Sequence, residues 1–290
     1  MTVLRRTLLT AMLALLVGCA PAPTRTAVPA APAAAVPAHD NLNATIWMQT
    51  AAEYEAIVRG VYTSALAQLD TALADPGWNA LPEFERSEGF ETLPPAIVVD
   101  ADETMIDNSP FQARGVRDNV GYSRERWLAW VNERRAAALP GALEFAREVA
   151  KRGVTVYFVT NRETPDEAES TVANLRALGS PIAADNANVL LRGDARAPGR
   201  DKGERRRWIG ARHRVLLMLG DNLGDFLDGA SVSVEARQAL MAPYAGWWGA
   251  RWFMLPNPSY GSWESAIQTG CPQGSELDGR ACKYQRMRLN

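Results

Sequence analysis

Five short apolar runs punctuate the chain: AIVVD ending at Asp100, VTVYFVT ending at Thr160, NVLL around Val189, VLLMLGD ending at Asp221 and WFML around Phe253. Each is continuous rather than alternating, and rich in branched side chains, as parallel strands covered on both faces are. Between them lie segments with helical spacing. Residues 43–74 place Ile46, Tyr54, Ile57, Val58, Val61, Leu66 and Leu69 on a helical period, as one long helix or two joined near Gly60. Pro140 and Gly141 precede a helix that ends at Gly153, and Thr164, with Pro165 behind it and Glu167 three residues on, reads as a capping box for a helix closed by Gly179. This alternation predicts an α/β fold, a three-layer sandwich around a mostly parallel sheet with right-handed crossovers. Residues 105–139 break the rhythm. They are helical in their second half and predict a helical cap over the sheet's C-terminal edge, joined by the N-terminal helices of about 43–75, the alternative being an ordinary long crossover. No internal repeat is evident.

The 290 residues are 47% hydrophobic, enough for a sizeable core, which excludes disorder for the bulk of the chain. With 31 Lys and Arg against 33 Asp and Glu the net charge is -2, so there is no broad basic field to hold a nucleic acid polymer. The first residues change the picture of where the protein works. Arg5 and Arg6 are followed by an apolar stretch from Leu8 to Val17, about half the length needed to span a bilayer's hydrocarbon core, which reads as an export signal. Leu16, Val17, Gly18 and Cys19 resemble the lipobox of bacterial lipoproteins, in which cleavage leaves a lipidated cysteine as residue one; the plainer alternative is a secretory signal cleaved nearby. Residues 1–18 are therefore expected to be removed, and 19–40, with lipidated Cys19 and an Ala/Pro-rich stretch, to form a tether. Ala20 rather than aspartate after the cysteine favours the bacterial outer membrane. Losing the leader leaves 29 basic against 33 acidic residues. In an exported protein Cys271 and Cys282 read as a local disulfide. A zinc site is excluded because their spacing is long and His39 and His213 are distant from both.

The candidate chemistry sits at strand ends. In DADET a buried strand delivers Asp100, and Asp102 follows two residues on, able to project to the same side. GDNLGDF repeats the arrangement, with Gly220 for the turn and then Asp221 and Asp225. In an open parallel sheet such ends converge on the ligand crevice. Any one of these aspartates alone reads equally as a turn or helix cap. Four converging acids would repel one another unless a hard divalent cation with oxygen ligands, Mg²⁺ foremost, and a cationic side chain neutralised them. VTNR brings Thr160 and Asn161 to the same edge, suited to phosphoryl oxygens, and Lys202 at a helix start can add a point charge. Arg205 and Arg206 read by default as a solvated charge run.

The order DADET, VTNR, Lys202, GDNLGDF resembles the four motifs of the haloacid dehalogenase (HAD)-like phosphatases. The wider strings DADETMIDNS, WVNERRAAALPGALEF, GDNLGDF and LPNPSYGSWE resemble the lipoprotein e(P4) family, outer-membrane acid phosphatases and 5′-nucleotidases of the class C type, from about Ile46 onward. The resemblance implies a Rossmann-like, HAD-like domain over residues 41–290 that hydrolyses small phosphomonoesters. It gives Asp100 as nucleophile, Asp102 as acid and base, and Thr160, Asn161 and Lys202 as phosphate contacts. Mg²⁺ would be held by Asp100, the Asp102 backbone carbonyl, Asp221 and Asp225. Trp127 or Trp130 and Tyr260 would contact the substrate's ring, of a nucleoside 5′-monophosphate or nicotinamide mononucleotide, and the family likeness favours a homodimer. Ala101 stands where family members often have leucine, with nothing catalytic lost. The rival readings are a phosphotransferase using the same aspartyl-phosphate, and a surface lipoprotein binding a ligand such as haem, either as a second role or without catalysis.

Overall fold

The computed structural model describes residues 38–269 and 276–289. All five apolar runs form strands, β1 (Pro95–Val99), β4 (Thr155–Glu163), β5 (Val189–Arg192), β6 (Arg214–Gly220) and β7 (Trp252–Met254), paired in parallel in the order β5-β4-β1-β6-β7. Two further strands, β2 (Ile106–Asp107) and β3 (Ala137–Ala138), form an antiparallel ribbon apart from this sheet. They are too short for a periodic signature.

Both faces of the sheet are covered, as continuous apolar strands require. On β1, Ile97 and Val99 face one core, while Ala96 and Val98 face the other. The register between β1 and β6 slips there: Ala96 pairs with Val215 but Ile97 with Leu217, leaving Leu216 as the extra residue. The first core is closed by α2 (Ala52–Ala74), α5 (Ala142–Lys151) and α6 (Ala168–Ala177). The buried stripe of α2 is Tyr54, Val58, Tyr62, Ala65, Leu69 and Ala72, a helical repeat that seats one face on α5 and β6. The second core has Ile209 of α7 (Gly203–Gly210) and an aromatic group centred on fully buried Trp252, with Phe226, Tyr244, Trp247 and Trp248 ringing it at 4.7–5.5 Å between ring centroids.

The N-terminal helices divide at Ala51, not near Gly60, which lies inside α2. Ala51 is extended, and Trp47 and Tyr54 pack edge to face across the break at 5.3 Å. The division has a reason: α1 (Leu42–Thr50) lies against α3 (Ser109–Asp118), while α2 lies on the sheet, and one straight helix could not serve both. Only α1, then, joins the cap; α2 belongs to the sandwich. Ile46 and Ile57 are 46% exposed and take no part in the core.

The insertion holds α3 and α4 (Arg124–Glu133), with the β2–β3 ribbon pairing its two ends at Ile106 and Ala138. Ser123 caps α4 by accepting from Arg126 N. The capping box expected at Thr164 does not form. β4 continues to Glu163, α6 starts at Ala168, and the Glu167 carboxylate instead accepts from Glu163 N at 3.1 Å and pairs with Arg124 of α4. Helices α8 (Val234–Met241), α9 (Ser262–Gln268) and α10 (Glu276–Arg286) complete the described part, α10 being tied by Arg280 to Asp40 and by Lys283 to Glu264 at 2.7 Å. Among the described residues no helix is long and apolar enough to cross a membrane. Cys19, the leader and the expected tether up to residue 37 lie outside the described residues, as does Cys271, the expected partner of buried Cys282, whereas Asp40, at the tether's end, is held to α10 by Arg280 and Lys283.

Candidate active site

The strand order places β1 between β4 and β6, so three C-terminal ends lie side by side. Asp100 follows β1, Thr160 to Arg162 end the β4 run, and Asp221 follows β6. Two glycines permit the approach. A Cβ on Gly220 would lie 2.3 Å from Asp225 Oδ2, and one on Gly203 would lie 1.9 Å from Asp228 Oδ2, the carboxylate that caps the start of α7 by accepting from Gly203 N at 2.8 Å. Asn222 and Asp225 form a capping box, Asp225 Oδ2 accepting from Asn222 N at 2.8 Å.

Lys202 immediately precedes α7 and is buried. Its ammonium pairs with Asp100 and, at 2.7 Å, with Asp225. Asp102 points elsewhere: it accepts from Arg162 through both oxygens at 2.8–3.2 Å, and from Asn108 Nδ2 at 2.8 Å. Asp221 receives the Asn257 amide at 2.8 Å. Carboxylate oxygens of Asp100, Asp221 and Asp225 lie within 4.8 Å of one another. Two of these acids share one lysine, and the third has an amide partner and no ion pair among the described residues. This all-oxygen donor set fits a hard divalent cation. The electrostatics agree. Burial, reinforced by neighbouring Asp225 and Asp102, pushes Asp100 up to about 7 even though Lys202 opposes the shift. Burial and the Asp225 and Asp100 charges push Asp221 well above the usual carboxylate range.

Thr160 is fully buried. Its hydroxyl lies 3.3 Å from Asp102 Oδ2 and accepts from Arg162 N at 3.1 Å. Asn161 faces the cleft, its Oδ1 accepting from Arg205 Nη2 at 2.9 Å, which turns the amide N–H₂ outward. Arg205 and Arg206 are the reverse of a solvated run: both are fully buried. Arg205 also donates to the Thr160 carbonyl, and burial brings its guanidinium down to about 10. Arg206 grips Glu85 with two bonds of 2.7 Å and reaches Asp228 at 3.0 Å and the Asp225 carbonyl at 3.0 Å. Charged runs look alike in sequence whether they face water or a buried acid, and Glu85 is over a hundred positions away.

A cleft of about 1350 Å³ opens over these groups, lined by Asp100, Asp102, Asn161, Lys202, Asp221 and Asp225 and walled by the cap. It is larger than the ~300–1,000 Å³ usual for a small ligand. Trp127 and Tyr260 both line it. Trp127 packs edge to face on Phe111 at 5.3 Å and over the Arg162 guanidinium at 5.3 Å. Trp130 does not reach the cleft. It is 4% exposed, and its Nε1 donates to Asn108 Oδ1 at 2.8 Å, which makes it a cap-core ring rather than a substrate contact. Sequence reasoning passed over Arg162, Asn108, Glu103 and Asn257. All four stand inside quoted motif strings, but only the fold shows what each one touches.

The comparisons agree with this geometry. Residues 6–263 match the family model of the HAD superfamily, subfamily IIIB (acid phosphatase). The class C acid phosphatase from Bacillus anthracis is similar in structure, with a TM-score of 0.73 and 31% identity over 86% of this chain and 97% of that one. The same Bacillus anthracis enzyme with tungstate bound gives a TM-score of 0.74 at 31% identity over the same shares. By family match, by fold and by the order of its strand-end acids, this chain belongs to the HAD subfamily IIIB acid phosphatases and is a phosphoric monoester hydrolase.

Proposed function

We propose that the protein is a Mg²⁺-dependent class C phosphatase that hydrolyses nucleoside 5′-monophosphates, and nicotinamide mononucleotide as a related ring-bearing substrate, through an aspartyl-phosphate on Asp100. The observation that carries this reading is the Asp100, Asp221 and Asp225 cluster facing Lys202 at the base of an aromatic-walled cleft. Asp100, Asp221, Asp225 and the Asp102 carbonyl would hold the cation, which when bound offsets charge between carboxylate and phosphate.

Asp100 Oδ attacks phosphorus as the ester P–O bond breaks. Asp102 passes its proton to the departing oxygen, then takes one from the water that attacks the phosphoryl group and frees Asp100. Lys202, the Thr160 hydroxyl and the Asn161 N–H₂ gather the non-bridging oxygens. The tungstate held by the similar Bacillus anthracis enzyme is an oxyanion, as phosphate is, which supports a phosphate-sized pocket here. Trp127 and Tyr260 both line the cleft, which supports a leaving-group side suited to a planar ring.

Beyond the site, the reading includes a lipid anchor at Cys19 on the bacterial outer membrane, a Cys271–Cys282 disulfide and a homodimer. The test is phosphate release from a panel of 5′-nucleotides, 3′-nucleotides, nicotinamide mononucleotide and aryl phosphates, by wild type and by Asp100→Asn in Mg²⁺. Preference for 5′-nucleotides and loss of turnover in the variant are expected. Undiminished hydrolysis by folded Asp100→Asn would sink the nucleophile assignment.

A further inference from the structure

Glu103 is an expensive residue without a part in the reaction above. It is fully buried, and its backbone is left-handed, with φ 52°, a conformation few non-glycine residues adopt. No lysine, arginine or histidine pairs with it among the described residues. Its carboxyl is instead satisfied by three donors: Asn108 N at 2.8 Å, Asn108 Nδ2 at 3.3 Å and the Tyr260 hydroxyl.

Those donors belong to separate parts of the site. Asn108 precedes cap helix α3 and also holds Asp102 at 2.8 Å. Tyr260 lies on the loop after β7, whose other clamp is Asn257. That amide donates to Asp221 at 2.8 Å, while its oxygen accepts from Ser259 N at 3.0 Å and Tyr260 N at 3.3 Å. Beyond its backbone bond from Leu255 N to the Gly220 carbonyl and the Trp263 indole's bond to the Tyr260 carbonyl, the loop is thus pinned to the site by Asp221 through Asn257 and by Glu103 through the phenol. The backbone clamp fixes where Tyr260 starts; among the described residues the phenol's bond to Glu103 is the side-chain hydrogen bond that fixes where its ring ends. Cleft-lining Tyr260 would otherwise be free to turn about its side-chain torsions.

We infer that Glu103 is a positioning residue, which holds the Tyr260 ring against the leaving-group side of the cleft and so sets affinity for ring-bearing phosphomonoesters. The inference rests on the proposed site only in taking Tyr260 to face the leaving group. A residue serving stability alone would weaken every ligand together; a ring-holding residue weakens the ring-bearing ligand selectively.

The experiment is calorimetric binding of adenosine 5′-monophosphate and of orthophosphate, with Mg²⁺, to the catalytically silent Asp100→Asn protein. Further substitutions are placed in that background. Tyr260→Phe keeps the ring and removes the bond, and should lower affinity for adenosine 5′-monophosphate relative to orthophosphate about tenfold. Glu103→Gln keeps an acceptor and should hold the ratio within about twofold. In Glu103→Leu the ratio should already be lost, and adding Tyr260→Phe should lower it no further. Tyr260→Phe remains decisive if Glu103→Leu does not fold. A wild-type-like ratio in Tyr260→Phe, an equal loss for both ligands, or no tighter binding of adenosine 5′-monophosphate than of orthophosphate before substitution would overturn the inference. The readout needs no turnover, so failure of the phosphatase reading shows separately, as absent phosphate release by wild type.

Discussion

Replacing Gly220 by alanine adds one methyl group at the most crowded point of the acid cluster. That Cβ would lie 2.3 Å from Asp225 Oδ2, 2.5 Å from its Cβ and 2.6 Å from its Cγ, where ordinary contact begins near 3.4 Å. Rotation about χ1 cannot relieve a clash with Cβ, so the backbone turn Leu223–Asp225 must retreat by about 1 Å. The 2.7 Å pair between Asp225 and Lys202 then opens beyond hydrogen-bond reach, and the 2.8 Å bond from Asn222 N weakens with it. A misplacement of that size at a reacting centre costs about 100-fold in rate. The overpacking itself costs about 2 kcal/mol, which for a domain of this size lowers Tm by about 4–8 °C. Gly224→Ala is the internal control, since in the same turn its Cβ meets nothing closer than Asn222 Oδ1 at 3.8 Å. Phosphate release and thermal unfolding should be measured on both variants beside wild type. A folded Gly220→Ala enzyme turning over within threefold of wild type would refute the claim that this contact sets the cluster, as would equal damage in Gly224→Ala.

Lys202→Met should leave a folded protein with kcat lowered about 1,000-fold, since the cation that pairs with both Asp100 and Asp225 is removed; steady-state kinetics and circular dichroism check the two halves. Glu85→Gln should lower unfolding free energy by about 3 kcal/mol in a urea titration, because Arg206 is left buried with its charge-paired fork broken; Arg59→Ala, from the exposed pair with Glu55, should cost under about 0.5 kcal/mol. For metal-free protein the sign follows from Asp100, whose folded value of about 7 exceeds its ordinary 3.8, so its stabilising proton is fully bound below about 4 and lost as pH rises through 7. Asp221 shifts in the same direction. Tm of chelator-treated protein should therefore fall between pH 5 and 8, and added Mg²⁺ should restore it at pH 8 far more than at pH 5; a rising or flat profile would contradict the assigned burial of these acids.

The sheet was legible in sequence because burial on both faces leaves continuous apolar runs, and the strand-end placement of Asp100 and Asp221 because each stands directly after such a run. Features set by distant partners were not. The helix break at Ala51 answers to α3 and the sheet, which pull the two halves onto different surfaces. Arg206 is buried because Glu85 waits for it, and Trp130 is a core ring because Asn108 accepts its indole. Thr164 to Glu167 carries the letters of a capping box, yet Arg124 of the cap draws the glutamate away. In each case the local pattern was compatible with two environments and a residue far along the chain decided between them.

The central position of β1 has a kinetic consequence. Its neighbours are β4 and β6, and the pairing of Ala96 with Val215 joins residues more than a hundred positions apart. Loop closure on that scale is slow compared with helix formation. Asp221 and Asp225 follow β6, so they reach Asp100 only once β6 has docked beside β1, and a chain in which that pairing is missing lacks the acid cluster. The folding chain stays chemically silent until β6 pairs with β1, and the appearance of activity marks that pairing rather than the onset of collapse.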